Sequence, residues 1–432
     1  MNTFCPLPWI HLATRPNGDV RVCCTANASG AGVEDDKEAG LVKQDGVNMN
    51  LRDHTVEEVW NSAHMKNTRL QMLNGEVPAS CRKCFEEERA GIVSKRQWET
   101  NVWQKRLDIK SIVNKTGEDG SLPNSIPYFD LRLGNMCNLK CTMCSPHDSS
   151  SWIKDWKIIY PQIQNEDLKL DQRWDSKYDY AWYKKSSFLE SVESQIENIQ
   201  ELYWAGGEPL MIPEHKRILE MLVDKDHAKN VILRYNSNGT HVNDEMLDLW
   251  SNFKQVKFNF SIDAIGERND YIRYPSKWKD IESKLKYITK NKTDNVYVNI
   301  ACAVQVLNVH HITDMATYLI GKDYDVNVEG MGAPIMGSHL VYFPSYLNVR
   351  VLTAEQKKIV KQRVETFIKS LGGLAVNGHF ENHVFGKQRW EGLVKYMMEE
   401  DWSHKQPQLI EYLELLDKQR GTDFRKTFPE LS

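Results

Sequence analysis

The 432-residue sequence has no apolar run long enough to cross a bilayer, which argues against an integral membrane protein. Its first residues, MNTFCPLPWI, lack the basic start, apolar core and small-residue cleavage site of a secretory leader, so the expected location is the cytoplasm. A surplus of positive charge is missing too. Lys and Arg number 55 against 59 Asp and Glu, a formal charge of −4, and nothing predicts broad attachment to a nucleic-acid backbone. No solenoid-type repeat and no low-complexity tract is found. With 41% hydrophobic and 26% charged residues the composition is that of a folded globular protein longer than one ordinary domain.

The sequence does have nine cysteines, and they are grouped. In a reducing compartment, grouped cysteines point to metal binding or redox chemistry before disulfides. Seven fall into three sets: Cys5 with Cys23, Cys81 with Cys84, and Cys137 with Cys141 and Cys144. Cys24 and Cys302 are left over. Cys302 sits in an expected strand and reads as a small buried residue.

From about Tyr128 short β-rich runs alternate with helical stretches, the pattern of parallel strands joined by crossover helices. Six strands are expected: YFDLRL near 128, ELYWAGG near 201, VILRYNS at 231, VKFNFSID at 256, VYVNIACAVQ at 296 and VNVEGM at 326. The fold class is therefore α/β, a partial (β/α)6 barrel of TIM type over residues 128–345. Chemistry is expected on the loops at the C-terminal ends of its strands. Residues 1–100 form a separate cysteine-bearing module, 101–127 a linker and 346–432 a helical C-terminal extension. Residues 9–23 predict a hairpin turning at Asn17 and Gly18. Thr55 with Glu58 forms a capping box opening a helix of about four turns, and Thr353 with Gln356 repeats the signal. The connection 145–200 carries Trp152, Trp156, Trp174 and Trp182, which predict extra helices packed on the barrel.

The segment GNMCNLKCTMCSP follows the first strand and spaces its cysteines C-x3-C-x2-C. Such a loop can wrap three thiolates around three corners of an iron–sulfur cubane and leave the fourth iron open. The competing reading is zinc, with His147 as a fourth ligand.

Residues 128–331 resemble the radical S-adenosylmethionine (SAM) superfamily. CNLKCTMC at 137–144 is similar to its cluster motif, AGGEP at 205–209 to its GGE motif, and NSNGT at 236–240 and SIDAIGERNDYIRYP at 261–275 follow in order. The resemblance implies a [4Fe-4S] cluster on Cys137, Cys141 and Cys144. It implies that Gly206, Gly207 and Glu208 meet the SAM amino group. Ser261 and Asp263 would meet the ribose or methionine portion, and Arg273 the carboxylate. Asn238 is a further SAM candidate. Met143 takes the adenine-contact position, where an aromatic residue is more common in the family.

Upstream, Cys5, Gly18 and Cys23, followed by Cys81-Arg-Lys-Cys84, resemble the auxiliary module called twitch or SPASM. That resemblance implies a second [4Fe-4S] cluster on Cys5, Cys23, Cys81 and Cys84, in a module placed before the barrel instead of after it. Cys24 is the alternative to Cys23, and a four-cysteine zinc site is the alternative to the cluster. Successive strand residues face opposite sides, so Cys23 and Cys24 are not expected to share one metal.

The family resemblance implies an enzyme that reductively cleaves SAM and abstracts hydrogen from a substrate, with a flavodoxin or ferredoxin as electron donor. Relatives with the auxiliary module often modify peptides, so a peptide is the first expectation and a small metabolite, sugar or nucleoside the second. A zinc-stabilised binding protein is the reading from a different class. It leaves the GGE, Asn238 and Asp263 pattern without a common purpose.

Overall fold

The computed structural model describes residues 3–26, 40–89, 93–166, 168, 176–322, 324, 326, 336–374 and 383–431. The chain divides into two units. The first comprises residues 1–135, 177–234 and 252–255, and the second residues 136–176, 235–251 and 256–432.

In the first unit the expected hairpin forms between β1 (His11–Thr14) and β2 (Val20–Arg21), antiparallel with Ala13 opposite Arg21. Trp9 and Ile10 depart from the expectation and lie in a helical turn, Leu7–Ile10, because Pro6 and Pro8 preset the φ that a first helical turn needs. Gly18 takes φ +87° at the bend, and a Cβ there would stand 2.5 Å from Asn50 Oδ1. The Asn50 amide donates to Asn17 O at 2.8 Å and to Asp19 Oδ1 at 2.9 Å, fastening the turn. A short ribbon, β3 (Lys43–Gln44) with β4 (Val47–Asn48), follows.

The capping box at Thr55 and Glu58 is present, but the helix it opens ends at Trp60. Ser62 caps a second helix, Ala63–Leu73, by accepting from Met65 N, so two adjacent cap residues split the expected four turns. Arg69 from that second helix is fully buried and donates to Pro8 O, Trp60 O and Gly120 O, tying three distant segments together. Helices Lys95–Trp103 and Ile109–Val113 lie beyond it. The barrel-type strands begin with β5 (Tyr128–Leu131) and β6 (Glu201–Trp204), which pair in parallel. β1 pairs in parallel with β5, Ala13 opposite Asp130, so the first strand of the cysteine-bearing module is hydrogen-bonded to the first barrel strand.

β7 (Ile232–Ser237) runs from the first unit into the second. There β8 (Gln255–Ser261), β9 (Val296–Val304) and β10 (Met336–Leu340) pair in parallel, with helices Asp244–Trp250, Trp278–Asn291 and Ile312–Ile320 between successive strands. Burial along β9 alternates strictly, with Val296, Val298, Ile300, Cys302 and Val304 fully buried. Cys302 is thus a packed core residue. On the other face Asn259 donates to Asn236 at 2.9 Å and Asn299 to Asn259 at 3.1 Å, a ladder of amides across β7, β8 and β9. The sixth expected strand began at Val326, and its residues 327–331 fall outside the described residues, as does Trp174. The second unit closes with helices Ala354–Leu374, His383–Glu399 and Gln406–Arg420. Thr353 and Gln356 form the expected reciprocal cap. Among the described residues no helix is long and apolar enough to cross a membrane.

Candidate functional site

In the second unit the chain after β5 passes through Cys137, Cys141 and Cys144 without regular secondary structure. Its buried backbone groups must therefore find partners elsewhere. Lys140 N donates to Tyr274 O at 2.6 Å and Thr142 N to Ile272 O at 2.8 Å, so the segment carrying Arg273 backs the cysteine loop. Ser151 donates to Cys137 O and Ser149 to Leu139 O, both at 2.6 Å, and Trp152 Nε1 to Cys141 O at 2.9 Å. Asn238, buried after β7, donates to Asn138 Oδ1 at 2.9 Å and stands 4.0 Å from Cys137 Sγ.

The Cys141 and Cys144 thiols are pushed in opposite directions, Cys144 well up by its hydrogen bond to Cys141 and by burial. The Cys144 thiol, donating to Cys141, holds the Cys141 thiol below its ordinary value against the opposing effect of burial, and Arg273 and Arg420 add to the lowering. Arg273 Nε lies 2.8 Å from Asp263 Oδ2, and the pair is buried. Asp263 also accepts from Ala303 N at 2.7 Å. Ser261 ends β8, half-buried, opposite Ala301, and Met143 is half-buried between Thr142 and Cys144. The structure thus gathers Cys141, Cys144, Asp263 and Arg273, with Asn238 at the Cys137 end.

The GGE segment belongs to the first unit. Gly206 and Gly207 take φ of +78° and +54°, and a Cβ on Gly206 would meet Arg132 Cβ at 2.8 Å. Both positions need a residue without a side chain. Glu208 is 1% exposed and caps a short turn by accepting from Leu210 N at 3.2 Å.

The other cysteines are also in the first unit. Cys5 precedes the helical turn Leu7–Ile10, Cys23 follows β2, Cys81 closes the turn Ala79–Cys81, and Cys84 lies in the first turn of helix Arg82–Arg89. Burial pushes the Cys5 thiol well up, and Cys81, Cys23 and Cys84 push it further. Cys81 is likewise raised, to about 12, by burial and then by Cys23. Cys24 is raised by burial amid different company, chiefly Lys95 and Asp130. Among the described residues no three His, Cys, Asp or Glu side chains are closed tightly enough to grip a metal as they stand. The donor chemistry nonetheless fits iron–sulfur clusters: four cysteines in one unit, three of which act electrostatically on the fourth, and three loop cysteines in the other, with Arg273 and Arg420 acting on Cys141.

Sequence reasoning did not single out Lys140, Asn138, Ser149, Ser151, Asp155, Tyr412 or Arg420. Only Asn138 and Lys140 lie inside a recognisable motif. The others are named by nothing but the folded chain.

Residues 131–319 match the Radical SAM superfamily, and residues 5–85 match the iron–sulfur cluster-binding domain SPASM. None of the curated proteins matches this sequence. Among solved structures, native anSMEcpe with bound AdoMet aligns at 18% identity over 56% of this chain and 60% of its own, with a TM-score of 0.39. Streptococcus suis SuiB bound to precursor peptide SuiA aligns at 13% identity over 64% of this chain and 54% of its own, with a TM-score of 0.28. This chain therefore spans less than two thirds of the length of these solved proteins.

Proposed function

We propose that this chain, whose residues 131–319 match the Radical SAM superfamily, is an enzyme that reductively cleaves SAM and starts radical chemistry on a peptide substrate. When bound, a [4Fe-4S] cluster and SAM would supply one-electron reductive cleavage of a SAM carbon–sulfur bond and the capacity to take hydrogen from substrate. The residues of the chain do the rest. Cys137, Cys141 and Cys144 ligate the cluster; Arg273, steered by Asp263, meets the SAM carboxylate. Gly206, Gly207 and Glu208 receive the SAM amino group, and Ser261, Asn238 and Met143 complete the cofactor's surroundings.

Cys5, Cys23, Cys81 and Cys84 ligate an auxiliary [4Fe-4S] cluster. The peptide assignment rests on this auxiliary domain, and the one-electron step calls for a flavodoxin- or ferredoxin-type donor. The observation that carries the reading is the buried Arg273–Asp263 pair, 2.8 Å apart, in the segment that backs the cysteine loop through Lys140 N to Tyr274 O and Thr142 N to Ile272 O.

The test is anaerobic reconstitution followed by chemical reduction in the presence of SAM. 5'-Deoxyadenosine and methionine are expected from the wild type and not from the variant with Cys137, Cys141 and Cys144 all replaced by Ala. Deoxyadenosine persisting in that variant overturns the ligand assignment.

A further inference from the structure

Helix Gln406–Arg420, near the C-terminal end of the chain, reaches the cysteine loop at two points. Its apolar side buries Leu409, Leu413 and Leu416, and among them Tyr412, 2% exposed, donates its hydroxyl to Thr142 O at 2.6 Å. Thr142 lies between Cys141 and Met143 and is fully buried. The side chains that satisfy the carbonyls of Cys137, Leu139 and Cys141 come from residues 149–152, a few residues beyond the loop. The donor to Thr142 comes from 270 residues away.

Arg420 forms the second contact. Its side chain is 3% exposed, with Nε 3.4 Å from Asp155 Oδ2, while Lys140 of the loop donates to Asp155 Oδ1 at 2.9 Å. Two cations thus share one buried carboxylate, leaving net positive charge beside the thiols. The Arg420 guanidinium also lies 4.5 Å from the Trp152 ring centroid and 4.9 Å from that of Tyr274. Trp152 holds the Cys141 carbonyl and Tyr274 O accepts from Lys140 N, so Arg420 packs against two of the residues that anchor the loop.

We infer that Tyr412 and Arg420 are positioning residues for the cluster-binding loop, holding it in the form that presents Cys137, Cys141 and Cys144 before any cluster is bound; this rests on the cluster assignment proposed above. The physical basis is the cost of leaving a buried carbonyl without a donor, and the attraction of a buried cation for thiolate ligands. Helix Gln406–Arg420 is thereby part of the cofactor site, since it supplies the side-chain donor to the Thr142 carbonyl.

Two measurements on the full chain test this. The first is hydrogen exchange of amides 137–144 in iron-free protein, with helix Trp278–Asn291 as an internal control. Tyr412→Phe removes one oxygen and is expected to speed exchange of the loop amides roughly tenfold while the control helix stays unchanged. The second is the reduction potential of the cluster in reconstituted protein: it should fall in Arg420→Gln and return toward wild type in Arg420→Lys, a pattern that loss of packing alone does not produce. Loop exchange within twofold of wild type, or a rise spread equally over the control helix, overturns the role of Tyr412. An unchanged potential in Arg420→Gln overturns that of Arg420. If wild-type protein takes up no iron at residues 137–144 while Tyr412→Phe still loosens the loop, the cluster assignment fails and the positioning contact stands.

Discussion

Arg273 Nε and Asp263 Oδ2 lie 2.8 Å apart with side-chain exposures of 11% and 0%. Burial raises the Asp263 carboxyl above its ordinary value and Arg273 holds that rise back, so each charge is tolerated inside the unit because of the other. The sequence resemblance gave Asp263 and Arg273 separate SAM contacts; the geometry couples them.

Replacing Asp263 by Ala leaves the Arg273 charge buried and uncompensated. We expect a loss of stability of about 3 kcal/mol and at least roughly tenfold weaker SAM binding. Thermal melts and calorimetric titration of SAM check both, and SAM affinity equal to wild type in a folded Asp263→Ala protein would separate the two residues again.

Cys23 and Cys24 are adjacent but keep different company. Cys23 is beside Cys5 and Cys81, whereas Cys24 lies near Lys95 and Asp130. Cys23→Ala is expected to lose about four irons per chain after reconstitution, and Cys24→Ala none. The reverse result would make Cys24 the ligand.

Gly18 turns the hairpin between β1 and β2 at φ +87°, where a Cβ would also stand 2.8 Å from Trp182 Cγ. Gly18→Ala therefore combines backbone strain with a clash and should cost roughly 2 kcal/mol or more. Because the hairpin carries Cys23, iron retention under chelator challenge should fall with the melting temperature. A melting temperature within a degree of wild type would show that the turn can relax.

His11 and His215 are fully buried in the first unit, and burial lowers their values from 6.5 to about 4 and about 3. The unfolded chain binds a proton on each below pH 6.5 and the folded chain does not. The stabilisation is therefore complete above pH 6.5 and lost as pH falls from 6.5 toward 4, at about 1.4 kcal/mol per pH unit for each histidine. Melting temperatures at pH 7.5, 6 and 5 should decline, and His215→Gln should flatten that decline. A melting temperature that holds or rises on acidification contradicts it.

Local features of the fold were legible in the sequence. Alternating burial in β9 follows the alternation of Val and Ile with other residues, and the capping boxes at Thr55 and Thr353 form where their spacing put them. The length of the helix after Thr55 was misread because Asn61 and Ser62 are polar in either state, and only Ser62 accepting from Met65 N shows where one helix stops and the next begins. Nonlocal relationships left no trace. The parallel pairing of β1 with β5 joins segments more than a hundred residues apart. Tyr412 sits in a helix whose sequence pattern marks it only as an apolar-face residue, and its hydroxyl acquires a purpose once Thr142 O is placed beneath it. In the site, the cysteine spacing was readable because Cys137, Cys141 and Cys144 lie on one short loop. The donors that shape the loop belong to other elements and were not.

The most direct test is iron and acid-labile sulfide content, with Mössbauer spectra, for anaerobically reconstituted wild type and for the variant lacking Cys137, Cys141 and Cys144. The account predicts about eight irons with matching sulfide, falling to about four in the variant as one of two [4Fe-4S] signals disappears. Stoichiometric zinc without sulfide, or an iron content that the triple substitution leaves unchanged, would contradict it.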